Sequence, residues 1–468
     1  MENIKRRAYI RVPAKASVWY IASSAIARAI GALGTPIFTR LLTPEEYGLY
    51  PLYGSWLSVF SVIITLELTG AAMYRGLQRH GTEKDDFISA VLGLILTLFV
   101  VFCAIYAIFG NFINSFTGLQ PSITRLMLAQ ILASAVLSLY TARARFEYKY
   151  KVVALLNVLS AIFSPAVAIV LIRLGLRAEA RIYGSSLTLA VIALPIIVAM
   201  LRRSTKLYSR KKWLYLLRRA VPLLPHYFSM TLILKIAEIT VSRIHGGEAL
   251  GKISVALSVG MSLTVITGGL LSALSPWMLR RVKAGEISRI RELLLILTKL
   301  ISLSCLGLLA LAPEAMAILS SSAFHSALPT VYPLALSVIP TFLSGALMSG
   351  GVYFEKSGLS ALPAIASASF STILSLTLIP ILGYQAMGVL VLLSYSLLAI
   401  LNVAVFTKSA KEAPIFIKKT LRIFFAAIGY GTLLFLLRDV LLSRILLLLP
   451  LIVPLLSVAK ETLKKIKE

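Results

Sequence analysis

The chain has 468 residues, of which 58% are hydrophobic, with a mean hydropathy of +0.88 and a net charge of +28. Apolar runs of about twenty residues recur from end to end, more greasy sequence than a soluble core can use, so the composition excludes a soluble domain and predicts an all-α polytopic membrane protein. Runs this long without two-residue alternation are not barrel strands.

Fourteen spans are predicted in chain order, near residues 16–39, 49–73, 87–109, 122–141, 152–174, 182–201, 220–241, 253–278, 292–312, 329–350, 359–380, 385–406, 416–437 and 440–458. Each is long enough to cross ~30 Å of hydrocarbon. The basic stretch Met1 to Lys15 precedes an apolar run too long for a signal-peptide core and interrupted by Arg28, so no cleavage is expected and the amino terminus stays inside.

With that orientation, segments 1–15, 75–84, 143–151, 202–219, 280–291, 354–357, 408–422 and 459–468 face inward and hold 35 of the 47 Lys and Arg residues. The outer turns hold eight, Arg40, Arg173, Arg177, Arg181, Arg243, Lys252, Arg438 and Arg444, and Arg28, Arg125, Lys235 and Lys299 fall within spans. The asymmetry places both termini in the cytoplasm and the chain in the cell membrane. It assigns the charge to anchoring on an anionic leaflet of membrane lipids, not to nucleic-acid binding.

The turn Thr39-Arg40-Leu41-Leu42-Thr43-Pro44-Glu45-Glu46-Tyr47-Gly48 returns 203 positions later as Ser242-Arg243-Ile244-His245-Gly246-Gly247-Glu248-Ala249-Leu250-Gly251, with five of ten positions matching in kind. The copies begin at spans 1 and 7, so each holds six spans and both enter the membrane in the same direction. Parallel repeats of this sort predict two six-helix lobes related by a pseudo-twofold axis along the membrane normal, with a substrate site at mid-bilayer where they meet. The expected lobes are 1–218 and 219–410, followed by spans 13 and 14 and a tail over 411–468, which have no counterpart in either lobe. Arg202 to Arg219 reads as the linker between lobes. Glu83 and Glu286, also 203 apart, are placed to begin helices, where carboxylates are favoured. Cys103 and Cys305 fall within spans and read as core residues, not a disulfide or metal pair.

A guanidinium near mid-span costs about 2.5 to 3.5 kcal/mol, so Arg28, ~18 Å along the helix from Arg40, needs polar surroundings or an anionic partner. Ser24, Arg28, Gly31 and Thr35 follow a 4-3-4 spacing that puts them on one side of span 1, while close packing at Gly31 and Gly34 or a carbonyl contact for Arg28 is the structural alternative. Span 7 carries a second stripe, Tyr227, Thr231, Lys235, Glu238 and Ser242. Lys235 and Glu238 stand three apart and can neutralise each other. Neither charge is duplicated in the other copy, which points to ligand handling. Glu67 and Glu238 are the carboxylates well inside spans, where a coupling ion, H+ or Na+, is expected; Glu67 can equally pair with Arg28. Arg125 and Lys299 are near enough to span ends to snorkel, and Arg40 and Arg243 form an outer rim suited to helix carbonyl ends and lipid phosphates. Pro36, Pro165, Pro195, Pro222, Pro225, Pro276, Pro333, Pro340 and Pro363 interrupt spans, and some are expected to kink them.

The outer turns are short, and the longest, near Ala312 to Leu328, holds one carboxylate, Glu314, and one histidine, His325. His80, His226, His245 and His325 show no ligand spacing. No metal centre, no cofactor beyond a coupling ion and no enzyme activity are therefore expected.

The stretch Gly31 to Gly48, with its Pro-Ile-Phe-Thr-Arg-Leu-Leu-Thr-Pro-Glu-Glu-Tyr-Gly, resembles the first helix and outer turn of the polysaccharide flippases, the O-antigen and repeat-unit exporters of the multidrug/oligosaccharidyl-lipid/polysaccharide superfamily. The resemblance implies two six-helix bundles with spans 1, 2, 7 and 8 around a central cavity, working as a monomer by alternating access. It implies a polyprenyl-pyrophosphate-linked glycan as substrate, its lipid tail left in the bilayer. In this family cationic residues of the first and seventh helices are implicated in headgroup binding, and Arg28 and Lys235 occupy such places here, with Ser24, Thr35, Tyr227 and Thr231 beside them. Outward movement of two negative charges through 100 mV, inside negative, is worth roughly 4 to 5 kcal/mol. The competing readings are a peptidoglycan lipid-precursor flippase with more cavity arginines, a multidrug-and-toxin cation antiporter with cavity acids, and a membrane scaffold or glycan ligase without transport.

Overall fold

The computed structural model describes residues 2–79, 83–351, 361–407 and 413–467; His80, the turn 354–357 and residues 408–412 of the basic stretch lie outside these. The described chain is all helical, and the helices are α1 (Glu2–Leu41), α2 (Pro44–Thr65), α3 (Ala71–Arg79), α4 (Lys84–Thr117), α5 (Pro121–Phe146), α6 (Tyr150–Arg173), α7 (Ala180–Arg202) and α8 (Arg210–Ala220). They continue as α9 (Leu224–Gly260), α10 (Thr264–Lys283), α11 (Ile287–Ala310), α12 (Ala312–Leu319), α13 (Leu328–Gly351), α14 (Ala361–Leu382), α15 (Ala386–Thr407), α16 (Ala413–Leu436) and α17 (Leu441–Lys467). Among the described residues, twelve stretches are long and apolar enough to cross a membrane. The expected first span lies inside α1, and expected spans 7 and 8 overlap the single stretch Arg210–Gly260.

The chain divides into two compact units, Met1–Leu42 with Leu52–Phe228, and Thr43–Pro51 with Ser229–Glu468. In the first, α1 packs on α6, α6 on α7, and α5 on both α4 and α7. Its lower core joins Met73 and Leu77 of α3, Phe87 and Val91 of α4, Leu139 of α5 and Leu216 of α8. Helix α8 comes from the basic stretch read as a linker. Its apolar side is buried at Leu216 and Ala220, and Trp213 donates to the Ala90 carbonyl at 2.9 Å. The extended residues ahead of it lie directly on α4: the Thr205 N–H meets Ser89 Oγ at 3.3 Å, and the Thr205 hydroxyl bonds Asp86. Gly93 permits this approach, since a Cβ there would overlap the Leu207 backbone. We therefore expect Gly93→Ala to lift the 203–209 segment from α4 at a cost of about 1–3 kcal/mol. Tryptic cleavage after Lys206 should accelerate about tenfold over cleavage elsewhere in the chain; an unchanged rate would show the segment to be held by other contacts.

In the second unit α13 is the central helix, packed against α10, α11, α15 and α16, and α11 also holds α16 and α17. Spans 13 and 14 thus pack on this unit rather than standing apart from it. Arg444 of α17 is 5% exposed and forks onto Glu314 of α12, with both N–O distances 2.7 Å, and it also reaches the Ala310 carbonyl. These bonds hold the Glu314 carboxyl below its ordinary value of 4.5, against the smaller opposing effect of burial. A depressed carboxylate stabilises the fold above its unfolded pKa and loses that contribution as pH falls through the lower folded value. Glu314 is 41% exposed, so screening limits the contribution to about 1 kcal/mol. The melting temperature of Glu314→Gln should fall below wild type at pH 7, and the gap should close below pH ~4.

The repeat is geometrical as well as sequential. Thr43, between α1 and α2, and Gly246, the non-helical residue with φ 81° within α9, break their helices 203 positions apart (246 − 43). The first turn is closed by a reciprocal capping box, Thr43 N–H to Glu46 Oε2 at 2.9 Å and Glu46 N–H to Thr43 Oγ1 at 3.3 Å. The second uses a glycine, which adopts positive φ without a Cβ penalty. Glu83 and Glu286 are the residues immediately ahead of α4 and α11.

The copied turns also meet inside the second unit. A Cβ on Gly48 would overlap the Gly247 carbonyl, and a Cβ on Gly251 would overlap the Pro44 carbonyl, both far inside the 3.0 Å at which real Cβ atoms stop. Subtracting 203 turns 247 into 44 and 251 into 48, so the two contacts exchange under one local dyad. Backbone-to-backbone approach of this kind brings Cα–H groups against carbonyls and leaves no room for a side chain.

Candidate functional site

Sequence reasoning places Glu67 inside a continuous second span, and the structure corrects this. Helix α2 stops at Thr65, and Leu66 and Glu67 take left-handed backbone with φ 49° and 50°. The Thr65 hydroxyl accepts the Glu67 N–H at 3.3 Å and the Glu67 carbonyl accepts the Gly70 N–H at 3.0 Å, so short local bonds replace helical ones before α3 begins. Two consecutive non-glycine residues at positive φ each cost about 1–3 kcal/mol, the kind of strain that gathers at functional sites. The hydrophobic pattern through Ile64 and Leu68 hides the break. Thr65 and Gly70, at its two ends, were its signals. The Glu67 side chain is half-buried and has no ion-pair partner among the described residues. The Tyr227 hydroxyl lies over Gly70, 3.6 Å from where a Cβ would stand.

A second break interrupts the equivalent element of the other copy, at residues 261–263 between α9 and α10. Other prolines named above do not break their helices: Pro165, Pro195, Pro333 and Pro340 lie inside continuous α6, α7 and α13.

On α1, Ser23 and Thr39 are buried, and Thr35 is buried too. Ser24 is half-buried, whereas Arg28 and Gly31 are exposed. Nothing stands within 4 Å of a Cβ built on Gly31, so this glycine does not mark a tight helix contact. The predicted stripe therefore runs from an exposed cation towards a packed threonine, Thr35, still inside α1. Arg40 closes on its own helix, donating to the Pro36 carbonyl at 2.9 Å, as a cation at a helix carbonyl end does. Arg243 is exposed.

On α9, Lys235 Nζ lies 2.9 and 2.8 Å from the two Glu238 oxygens, with side-chain exposures of 25% and 5%. The intrahelical pair read as an alternative in the sequence is formed. Buried Tyr395 of α15 lies within electrostatic reach of Glu238, and the Ser371 hydroxyl of α14 donates to the Ile233 carbonyl at 2.6 Å, which ties α14 to this part of α9. Tyr227, Thr231 and Ser242 are half-buried. Lys235 thus presents an already neutralised charge, and the exposed cation of the two is Arg28.

The remaining polar groups of the described chain are held by local bonds or stand apart from one another. Cys103 and Cys305 are free thiols. His245 bonds the Ile379 carbonyl at 3.0 Å, and His226 stacks edge-on to Tyr227. Among the described residues no group of three His, Cys, Asp or Glu is placed to hold a metal ion. Arg125 donates to the Pro121 carbonyl at 3.2 Å, and Lys299 is exposed.

The protein family described as "Polysaccharide biosynthesis protein" matches residues 14–282 of the chain. None of the curated proteins compared with the sequence matches it. Among solved structures, the lipid II flippase MurJ in an inward closed conformation superposes with a TM-score of 0.64 at 14% identity, covering 92% of this chain and 99% of that one. A multidrug resistance MATE family transporter of the MOP superfamily, inward-facing, gives 0.59 at 15% identity over 87% and 96% of the two chains. A MOP superfamily transporter from Pyrococcus furiosus, described as having a binding pocket of reverse polarity that suggests a different function, gives 0.57 at 17% over 86% and 97%. At these identities the likeness establishes the shared fold.

Proposed function

The chain belongs to the polysaccharide biosynthesis protein family, and from that premise we propose that it is a flippase for a polyprenyl-pyrophosphate-linked glycan. The observation that carries this reading is Arg28, an exposed guanidinium on a membrane-length helix that holds no acid beyond Glu2 at its start. A guanidinium binds pyrophosphate through paired charge-assisted bonds, and this planar fork suits a phosphate better than an organic cation. Ser24 and Thr35 flank it on the same stripe. Lys235, already bound by Glu238, is assigned a secondary role; Glu238 sets its position. Tyr227 and Thr231 are hydroxyl donors on the same helix. The pyrophosphate headgroup would cross with its lipid tail in the bilayer, from the cytoplasmic leaflet to the outer one, and the excess of Lys and Arg in alternate turns supports that orientation.

Glu67 is assigned to ion coupling. It is a half-buried carboxylate without a countercharge among the described residues, on backbone released from helical bonding, and discontinuous helices of transporters hold their ions at such points. In proteoliposomes, an imposed H+ or Na+ gradient should change the wild-type rate, whereas Glu67→Gln should transport at a rate insensitive to it. A variant that keeps the full gradient response removes Glu67 from this role.

A stripe on α1 that carries a cation and no acid separates this chain from a cation antiporter. Two cargoes test the distinction. Proteoliposomes should move a fluorescent polyprenyl-pyrophosphate oligosaccharide and not an organic cation dye; movement of the dye alone would overturn the proposal.

A further inference from the structure

The first unit contains a cavity of about 700 Å³ between the ends of α4, α5 and α7 that the flippase reading does not use. Its walls change character along its depth. One part is apolar, with Leu92, Pro195, Ile196 and Met200, and the other is polar, with Tyr140, Arg143, Lys149 and Arg203. Pro195 to Arg203 covers eight residues, ~12 Å along a helix, and Leu92 to Asp85 covers a similar length, so the cavity straddles the level at which three membrane-length helices end. That level is where hydrocarbon gives way to lipid headgroups.

The charges around the cavity are ordered. Its two acids are occupied: Asp85 by Arg143, and Glu147 by Arg143 at 3.1 Å and Lys149 at 2.6 Å. Burial pushes the Glu147 carboxyl up, but the bonds from Lys149 and Arg143 outweigh it and hold the group below its usual range. Arg203 and the Tyr140 hydroxyl have no partner among the described residues. The lining cations Arg143, Lys149 and Arg203 outnumber the lining acids Asp85 and Glu147 by one. A second cavity shares Pro195, Ala199 and Arg203 with the first and continues along the exposed side of α7 past Leu194 and Val198, with Arg202 at its basic end. An apolar track thus leads from the membrane-facing surface of α7 to a site with one cation in excess.

We propose that this cavity binds an anionic glycerophospholipid, its phosphate at Arg203 and Tyr140 and an acyl chain along Pro195, Ala199 and Val198. A zwitterionic headgroup would bring a second cation beside Arg203 and Lys149, and a free phosphate would leave the apolar walls wet. Basic pockets between helices at this depth are suited to anionic headgroups.

The test uses the full-length protein in lipid nanodiscs that contain a trace of phosphatidylglycerol bearing a photoreactive acyl chain, with labelled peptides mapped by mass spectrometry. The expected labelling falls on the segment 194–203 and on α4 near Leu92. Arg203→Gln should lower it about tenfold, the loss of one charge-assisted contact. Ala199→Trp, at an exposed position, should lower it by filling the track without touching a charge. Arg173→Gln, which removes an equally exposed cation at the opposite end of α6, should leave it unchanged. Melting temperatures near wild type identify folded variants. Equal labelling by a phosphatidylcholine probe, full competition by millimolar inorganic phosphate, or undiminished labelling in both Arg203→Gln and Ala199→Trp would each overturn the proposal.

Discussion

Alanine at Gly251 is expected to lower the stability of the protein by about 1–3 kcal/mol and to abolish most of its transport, and alanine at Gly48 is expected to do the same. Each added methyl would overlap a backbone carbonyl, Pro44 in one case and Gly247 in the other, and a backbone cannot rotate away as a long side chain does. The relief open to the fold is for the helices beginning at Pro44 and Gly247 to separate. Because both substitutions are relieved by one separation, their effects should not add. The double variant should therefore melt close to the worse of the two singles. A full sum of the two losses would show that the contacts yield independently and that the local dyad is not one packing unit. Gly54 is the control: nothing stands within 4 Å of a Cβ there, so Gly54→Ala should be neutral or slightly stabilising within α2.

The second large effect is expected at Arg28. Arg28→Gln should weaken binding of a polyprenyl pyrophosphate about tenfold to a hundredfold, the range for losing a charge-assisted bond or a bidentate pair of them. Arg28→Lys should recover part of the loss, since it restores the charge without the fork. The same change at Lys235 should cost less, because its ammonium is already held by both Glu238 oxygens. Removing Glu238 alone should lower the melting temperature more than removing Lys235 with it. That substitution strips the countercharge from a partly buried cation, whereas the double change removes the pair together. Affinities for Arg28→Gln, Arg28→Lys and Lys235→Gln, measured in detergent by competition with a fluorescent pyrophosphate lipid, separate a direct contact at Arg28 from a positional role at Lys235.

Much of this fold was legible because membrane helices are written locally. The 203-residue offset visible in Thr39 to Gly48 and Ser242 to Gly251 reappears in Thr43 and Gly246 at the turns, in Glu83 and Glu286 at helix starts, and in the paired glycine contacts. The Lys235 and Glu238 pair was readable from their three-residue spacing. What could not be read depends on distant chain. Arg444 looked like an outer-turn cation and Glu314 a lone carboxylate, yet they join across 130 residues. The basic stretch Arg202 to Arg219 looked like a linker, but Trp213, Leu216 and the Thr205 contacts dock it on α4. Glu67 was placed in a helix because apolar residues continue on both sides of it, and hydropathy carries no record of φ. The cavity beside Arg203 is made by three helix ends that no spacing rule connects.

Passage of a lipid-linked pyrophosphate glycan through this protein, with Arg28 holding the headgroup, can be read from the initial rate at which a labelled polyprenyl-pyrophosphate oligosaccharide becomes accessible on the far leaflet of proteoliposomes. Wild-type protein should raise that rate well above protein-free vesicles, and Arg28→Gln, reconstituted to the same density and with an unchanged melting temperature, should lose at least about tenfold of it. Equal rates for wild type and Arg28→Gln would remove Arg28 from the site, and a wild-type rate no higher than that of empty vesicles would contradict the flippase assignment itself.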